Sequence, residues 1–107
     1  MPYILSTSLY PSHKAIEVAK KYLEALKKYP PDETLANEVV PAAVKTTRQG
    51  IEVISIAEVK EGQLEAALRT VGSTYAMFQS IVGFEYSIDV YATVAEAMTT
   101  IGMSLPE

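Results

Sequence analysis

The stretch Ile51-Glu52-Val53-Ile54-Ser55-Ile56-Ala57-Glu58-Val59-Lys60 decides the fold of this chain. Six of its ten residues are Ile, Val or Ala, five of them β-branched, and neither glycine nor proline interrupts it. That composition suits a pleated strand. At ~3.3 Å per residue the strand runs roughly 33 Å, enough to cross a small domain. Ile51, Val53, Ala57 and Val59 fall on one side, Ile54 and Ile56 on the other. A strand that is apolar front and back needs both faces covered. The chain has helices enough for one face only, so a second copy of the chain is expected against the other.

Working outward, Arg48-Gln49-Gly50 is a tight turn that makes residues 42–47 and 51–60 an antiparallel hairpin. Pairing Arg48 with Ile51 would set Val44 and Thr46 opposite Ser55 and Val53. Pro41 places the incoming strand at a sheet edge. Between it and Pro30-Pro31, residues 32–38 read as a short helix capped by Asp32. Residues 3–9 alternate as a strand, with Tyr3, Leu5, Thr7 and Leu9 on one side and Ile4, Ser6 and Ser8 on the other. From His13 to Tyr29 the spacing turns helical, with a stripe of Ala15, Val18, Ala19, Tyr22, Leu23 and Leu26. A second helix is expected from Glu61 to about Ser80, with Leu64, Ala67, Leu68, Val71, Tyr75 and Phe78 inward. Gly72 within it marks either a close approach or a benign irregularity. Phe84 to Tyr91 alternates as a final strand, and Thr93 with Glu96 forms a capping box for a short last helix.

The order β-α-β-β-α-β gives a ferredoxin-like α+β fold over one domain, residues 1–107. Its four antiparallel strands lie in the order 4-1-3-2, with two main helices on one face and a short C-terminal helix besides. On the last strand Phe84, Tyr86, Ile88 and Val90 claim the helix side, so Glu85, Ser87 and Asp89 face away. Ser6 and Ser8 are expected to face away as well. If Ile54 and Ile56 meet the helices, Val53, Ser55, Ala57 and Val59 join that open face. Ser6, Ser8, Ser55 and Ser87, with Tyr91 at the rim, would then floor a surface able to hold a small organic ligand between two facing sheets.

Composition removes much chemistry. Without cysteine there are no disulfides, catalytic thiolates or thiolate metal sites, and the single histidine leaves no His-rich metal centre. No cofactor is called for. The formal charge is −4 with only two arginines, Arg48 and Arg69. Nucleic acid is not an expected partner, because phosphate contacts need a basic surface. Lys20, Lys21, Lys27 and Lys28 share their helix with Glu17 and Glu24 and read as a solvated face. No apolar run approaches the ~18 residues of a membrane helix, and no secretory signal opens the chain, which points to a cytoplasmic protein.

The strand-helix unit 3–29, the hairpin Val44 to Val59 and the run Phe78-Gln79-Ser80-Ile81-Val82-Gly83-Phe84 resemble the dimeric α/β-barrel superfamily. The resemblance implies a homodimer joined through its sheets. That superfamily includes cofactor-independent monooxygenases, haem-degrading enzymes, isomerases and stress-induced proteins, and the fold does not choose among them. Three classes follow: a ligand-binding homodimer, a monooxygenase or isomerase, and a regulatory or assembly module. His13 is the one candidate base or haem ligand, its alternative being an exposed helix-start residue. Glu85 and Asp89, ~13 Å apart along their strand, are too distant to act on one bond.

Overall fold

The apolar ribbon is β3 (Gly50–Val59), and it lies inside the sheet between β1 (Tyr3–Tyr10) and β2 (Ala36–Thr47). With β4 (Glu85–Tyr91) on the far side of β1, the antiparallel sheet runs β2-β3-β1-β4, the expected order read from the other edge. The computed structural model describes residues 1–106, so Glu107, the end of the expected domain, lies outside the described residues. Two long helices, α1 (Ala15–Lys28) and α2 (Leu64–Ala76), pack on one face, and α3 (Val94–Thr100) follows β4. This is the ferredoxin-like βαββαβ arrangement.

Two local expectations are corrected. Residues 32–38 do not form a helix. The Asp32 carboxylate accepts the Thr34 backbone N–H and hydroxyl in a tight turn, and Ala36 then pairs with Val59 at the start of β2. A ladder of strand hydrogen bonds outcompetes one isolated helical turn. The two-residue turn sits one residue earlier than the Arg48–Ile51 pairing would put it, with Thr47 opposite Gly50 and Val44 opposite Val53. The Thr47 hydroxyl bonds the Gly50 carbonyl and accepts the N–H groups of Gln49 and Gly50, which locks the turn. Pro41 does lie on the edge strand, inside the irregularity between Val40 and Ala43 where the register shifts.

The larger correction concerns which side of β1 is covered. Ile4, Ser6, Ser8 and Tyr10 are the buried residues, and Tyr3, Leu5, Thr7 and Leu9 face the helix-free side. Register carries the choice across the sheet, because directly opposed residues share a face. Ser6 pairs with Ile88 on β4 and with Ser55 on β3. Tyr86, Ile88 and Val90 therefore turn inward as expected. Val53, Ser55, Ala57 and Val59 join them, and Ile54 and Ile56 are left on the open side. On β1 the two parities are nearly equal in apolar content, so the local pattern does not discriminate. Tyr10, one residue past the expected strand end, adds a buried ring to the even side.

Two glycines differ in what they permit. Gly50 has φ of 141°, and a Cβ there would sit 2.3 Å from the Tyr10 carbonyl oxygen. Gly72 in α2 has open space around that position, so it is the benign irregularity. Gly50→Ala should cost more than about 1 kcal/mol in urea denaturation. Gly72→Ala should gain up to about 1 kcal/mol, a Tm rise of roughly 4–8 °C.

The Thr93–Glu96 capping box of α3 is formed. The backbone N–H of Thr93, then the N-terminal ammonium, hold the Glu96 carboxyl below its usual pKa. Since the folded pKa is depressed, this contribution is present above the unfolded value and is lost as pH falls through the folded one. Amide shifts of residues 93–97 should report fraying of α3 at acid pH while the sheet amides stay in place.

Candidate functional site

The core beneath the helices is divided in two. At one end of β1, Tyr10 packs with Val18, Ala25, Phe78 and Ile81; at the other, Ile4 packs with Val59 and Ala67. Between these clusters the floor is made of small side chains. Ser6 and Ser55 are opposed across β1 and β3, and Ser8 is opposed to Val53. Above them the lining comes from Val18, Ala19, Tyr22 and Leu26 of α1 and from Thr70, Val71, Thr74 and Tyr75 of α2. Helices held up by large residues at both ends leave space over the short serine side chains in the middle. The result is a cavity of about 410 Å³ between helices and sheet.

Its polar groups differ in how far the protein already engages them. The Tyr75 hydroxyl donates to Ser6 Oγ at 3.1 Å, and Ser55 Oγ donates to the Pro41 carbonyl at 2.8 Å, tying β3 to the irregular part of β2. The Thr70 and Thr74 hydroxyls donate to carbonyls one turn back in α2. Among the described residues Ser8 Oγ has no hydrogen-bond partner, although Ser8 is only 6% exposed. No fully enclosed polar atom lacks a partner, so the Ser8 hydroxyl opens into the cavity. Aromatic rings wall the end near Tyr10. Tyr10 stacks on Phe84 at 5.8 Å, Phe78 on Phe84 at 4.9 Å and Tyr75 on Tyr86 at 5.0 Å. Burial pushes the Tyr10 phenol pKa up.

The other end opens outward beside Tyr29, Pro30, Pro31, Asp32, Leu35 and Thr70. The same six residues, with Lys28 and Glu33, line a shallow surface depression of about 570 Å³ that forms its mouth. Glu38 of β2 also lines the cavity. The Thr34 hydroxyl and N–H hold the Asp32 carboxyl below its usual range.

The expected site residues therefore separate. Ser6, Ser8 and Ser55 come together, but beneath the helices instead of on the open face. Ser87 and Tyr91 lie on the opposite side of the sheet, where Ser87 Oγ is bonded to Thr7 Oγ1 at 2.8 Å and Tyr91 is opposed to Tyr3. His13 is exposed on the 3₁₀ turn Ser12–Lys14 and does not line the cavity. Among the described residues, no group of three His, Cys, Asp or Glu side chains could hold a metal ion. Tyr75, Asp32 and Glu38 were not anticipated as lining residues. The signal that could have found the cavity is the run of short hydroxyl side chains, Ser6 and Ser8 of β1 with Ser55 of β3, on one face of the sheet.

Ser55→Ala should cost about 1 kcal/mol by orphaning the Pro41 carbonyl. Ser8→Ala breaks no protein hydrogen bond and should leave the urea midpoint within error of the parent.

No protein-family model matches the sequence, and no curated protein is similar to it. Among solved structures, a formyltetrahydrofolate deformylase from Pseudomonas putida KT2440 is similar at TM-score 0.46 and 11% identity, over 83% of this chain. This chain spans 28% of that protein's length. A likeness of that degree carries no argument about what the chain does, and the ferredoxin-like assignment rests on strand order and register.

Proposed function

We propose that this chain is a small-molecule-binding protein whose site is the gap between its helices and its sheet. The observation that carries the reading is the serine-floored cavity of about 410 Å³, a size within the usual range of small-molecule sites. A mainly apolar wall with a few directed hydroxyls is the chemistry such sites use. Ser8 supplies a free hydroxyl, and the Tyr75–Ser6 pair offers a second polar point. The ligand place expected between two facing sheets moves to the other side of the sheet with the serines that defined it. The monooxygenase or isomerase alternative relied on His13, which stands outside the cavity. Among the described residues no histidine, lysine or cysteine lines it, so this cavity is better equipped to hold a molecule than to attack one.

Native mass spectrometry of freshly purified protein should show a bound organic molecule, and a metabolite panel should raise the melting temperature. Ser8→Leu, which fills the floor, should abolish that rise and keep the fold. A panel without effect on the parent protein, together with no co-purifying mass, would remove the reading.

The open face supports a second part of the proposal, a homodimer joined through the sheets, as the resemblance to dimeric α/β-barrel proteins implies. Tyr3, Leu5 and Leu9 of β1 lie beside Ile54 and Ile56 of β3 on a side without a helix, and Ile54 is 36% exposed. The chain exposes 7279 Å², about a quarter more than the roughly 5,900 Å² expected for a monomer of its mass. That excess is larger than the roughly 800 Å² that a standard interface removes from each partner. Light scattering should give twice 11.7 kDa, and Ile54→Lys should give a folded monomer. A parent protein that stays monomeric at micromolar concentration would end this part and leave the cavity reading intact. A dimer indifferent to every small molecule would instead be the assembly module.

A further inference from the structure

We infer that the ligand is an organic cation with a flat or ring-shaped apolar body, an inference that rests on the small-molecule reading of the cavity. Its charge preference follows from which charged groups the fold brings to the site. Among the described residues the cavity is lined by no lysine, arginine or histidine, and its charged side chains are Asp32 and Glu38. At the mouth Glu33 adds a third carboxylate, and Lys28 is the single cation. Lys28 does not form an ion pair with any of these carboxylates. Its Nζ lies over the Tyr29 ring, 5.6 Å from the centroid. The mouth therefore carries a net negative charge, and one of its own rings already receives a cation on its face.

An anion entering the cavity would pass the single cation Lys28 at the mouth and then shed hydration among hydroxyls, rings and carboxylates, with no cationic lining residue to replace the lost water. A cation would exchange water for carboxylates at the entrance and for ring faces behind them. The body follows from the walls, because Tyr10, Phe78 and Phe84 line the cavity and aromatic walls favour an apolar ring. The free Ser8 hydroxyl can accept an N–H donor or donate to a ring nitrogen. Polarity is thus graded along the cavity, with charge at the mouth, a hydroxyl on the floor and apolar rings at the end near Tyr10. A ligand of matching polarity has its charge at one end.

The test compares three probes sharing one ring system: 2-naphthylmethylamine, 2-naphthalenemethanol and 2-naphthoate, titrated into the full chain at neutral pH and followed by amide shifts of residues 6–10 and 70–78. The amine should bind tighter than the alcohol by about fivefold, the effect of roughly 1 kcal/mol from one charge pair near water, and the carboxylate should bind weakest. Asp32→Asn keeps the oxygen that accepts from Thr34, so it tests charge without opening the turn. Combined with Glu38→Gln, it should bring the amine down to the alcohol, whose affinity stays unchanged. About 0.5 M salt should shrink the gap in the same way. If the alcohol binds as tightly as the amine, or the carboxylate tighter than either, the cation inference is overturned and the cavity reading stands. If none of the three perturbs the cavity amides, the ring-shaped cation inference is overturned, and the metabolite panel with native mass spectrometry decides the cavity reading separately.

Discussion

The two-residue repeat of a strand, carried sideways by register, is the constraint from which the rest of this structure follows. β1 lies between β3 and β4, and each of its residues shares a face with the residues opposed to it on both sides. Once Ile88 and Tyr86 turn toward α2, Ser6 and Ser8 must turn the same way, and Ser55 and Val53 with them. A slip of one position would exchange every residue between the faces. It would put Leu5 and Leu9 under the helices and close the space that now exists there. The cavity is thus a consequence of strand pairing, before any property of the helices is considered.

Stability and hollowness are reconciled by where the large residues sit. The helices are supported near the Tyr10 end by a cluster with three aromatic rings, and near the Ile4 end by a smaller aliphatic cluster around Val59. The serine band lies between them. Its hydroxyls do not carry the cost of unsatisfied burial, because Ser6 and Ser55 are hydrogen-bonded and Ser8 opens into the cavity. Apolar residues in their place would have filled the middle and merged the clusters into one core. Trading some packing for a polar-floored space is a common cost of function, and it is the physical basis for reading this chain as a binding protein.

The two faces of the sheet differ in their chemistry. The helix side is small and hydroxylic at its centre, with carboxylates at its entrance. The open side carries Tyr3, Leu5, Leu9, Ile54 and Ile56 in a broad apolar surface, with Glu52, Glu58, Glu85 and Asp89 toward its margins. On the proposed reading, one side takes a small molecule and the other meets a second copy of the chain. Because β3 separates them by a single layer of backbone, occupancy on one side and association on the other share the same strand. His13 belongs to neither, which leaves the only imidazole of the chain out of both arrangements.

Much of this architecture was legible in the sequence. Element order, the strand order 4-1-3-2, the central position of 51–60, the edge strand with Pro41 and the Thr93–Glu96 capping box all follow from short-range signals: hydrophobic period, breakers and cap residues. The short helix at 32–38 was misread because a capping aspartate suits a turn as well as a helix, and only the pairing of Ala36 with Val59 decides between them. The site was legible in its residue types but not in its place. Ser6, Ser8 and Ser55 could be grouped because they share parity on adjacent strands. Which side they face depends on a comparison that β1 alone cannot make, since Ile4 and Tyr10 on one parity nearly balance Tyr3, Leu5 and Leu9 on the other. Tertiary structure settles it through β4, whose one clearly amphipathic pattern is transmitted by hydrogen-bonded register to a neighbour that has no clear preference of its own.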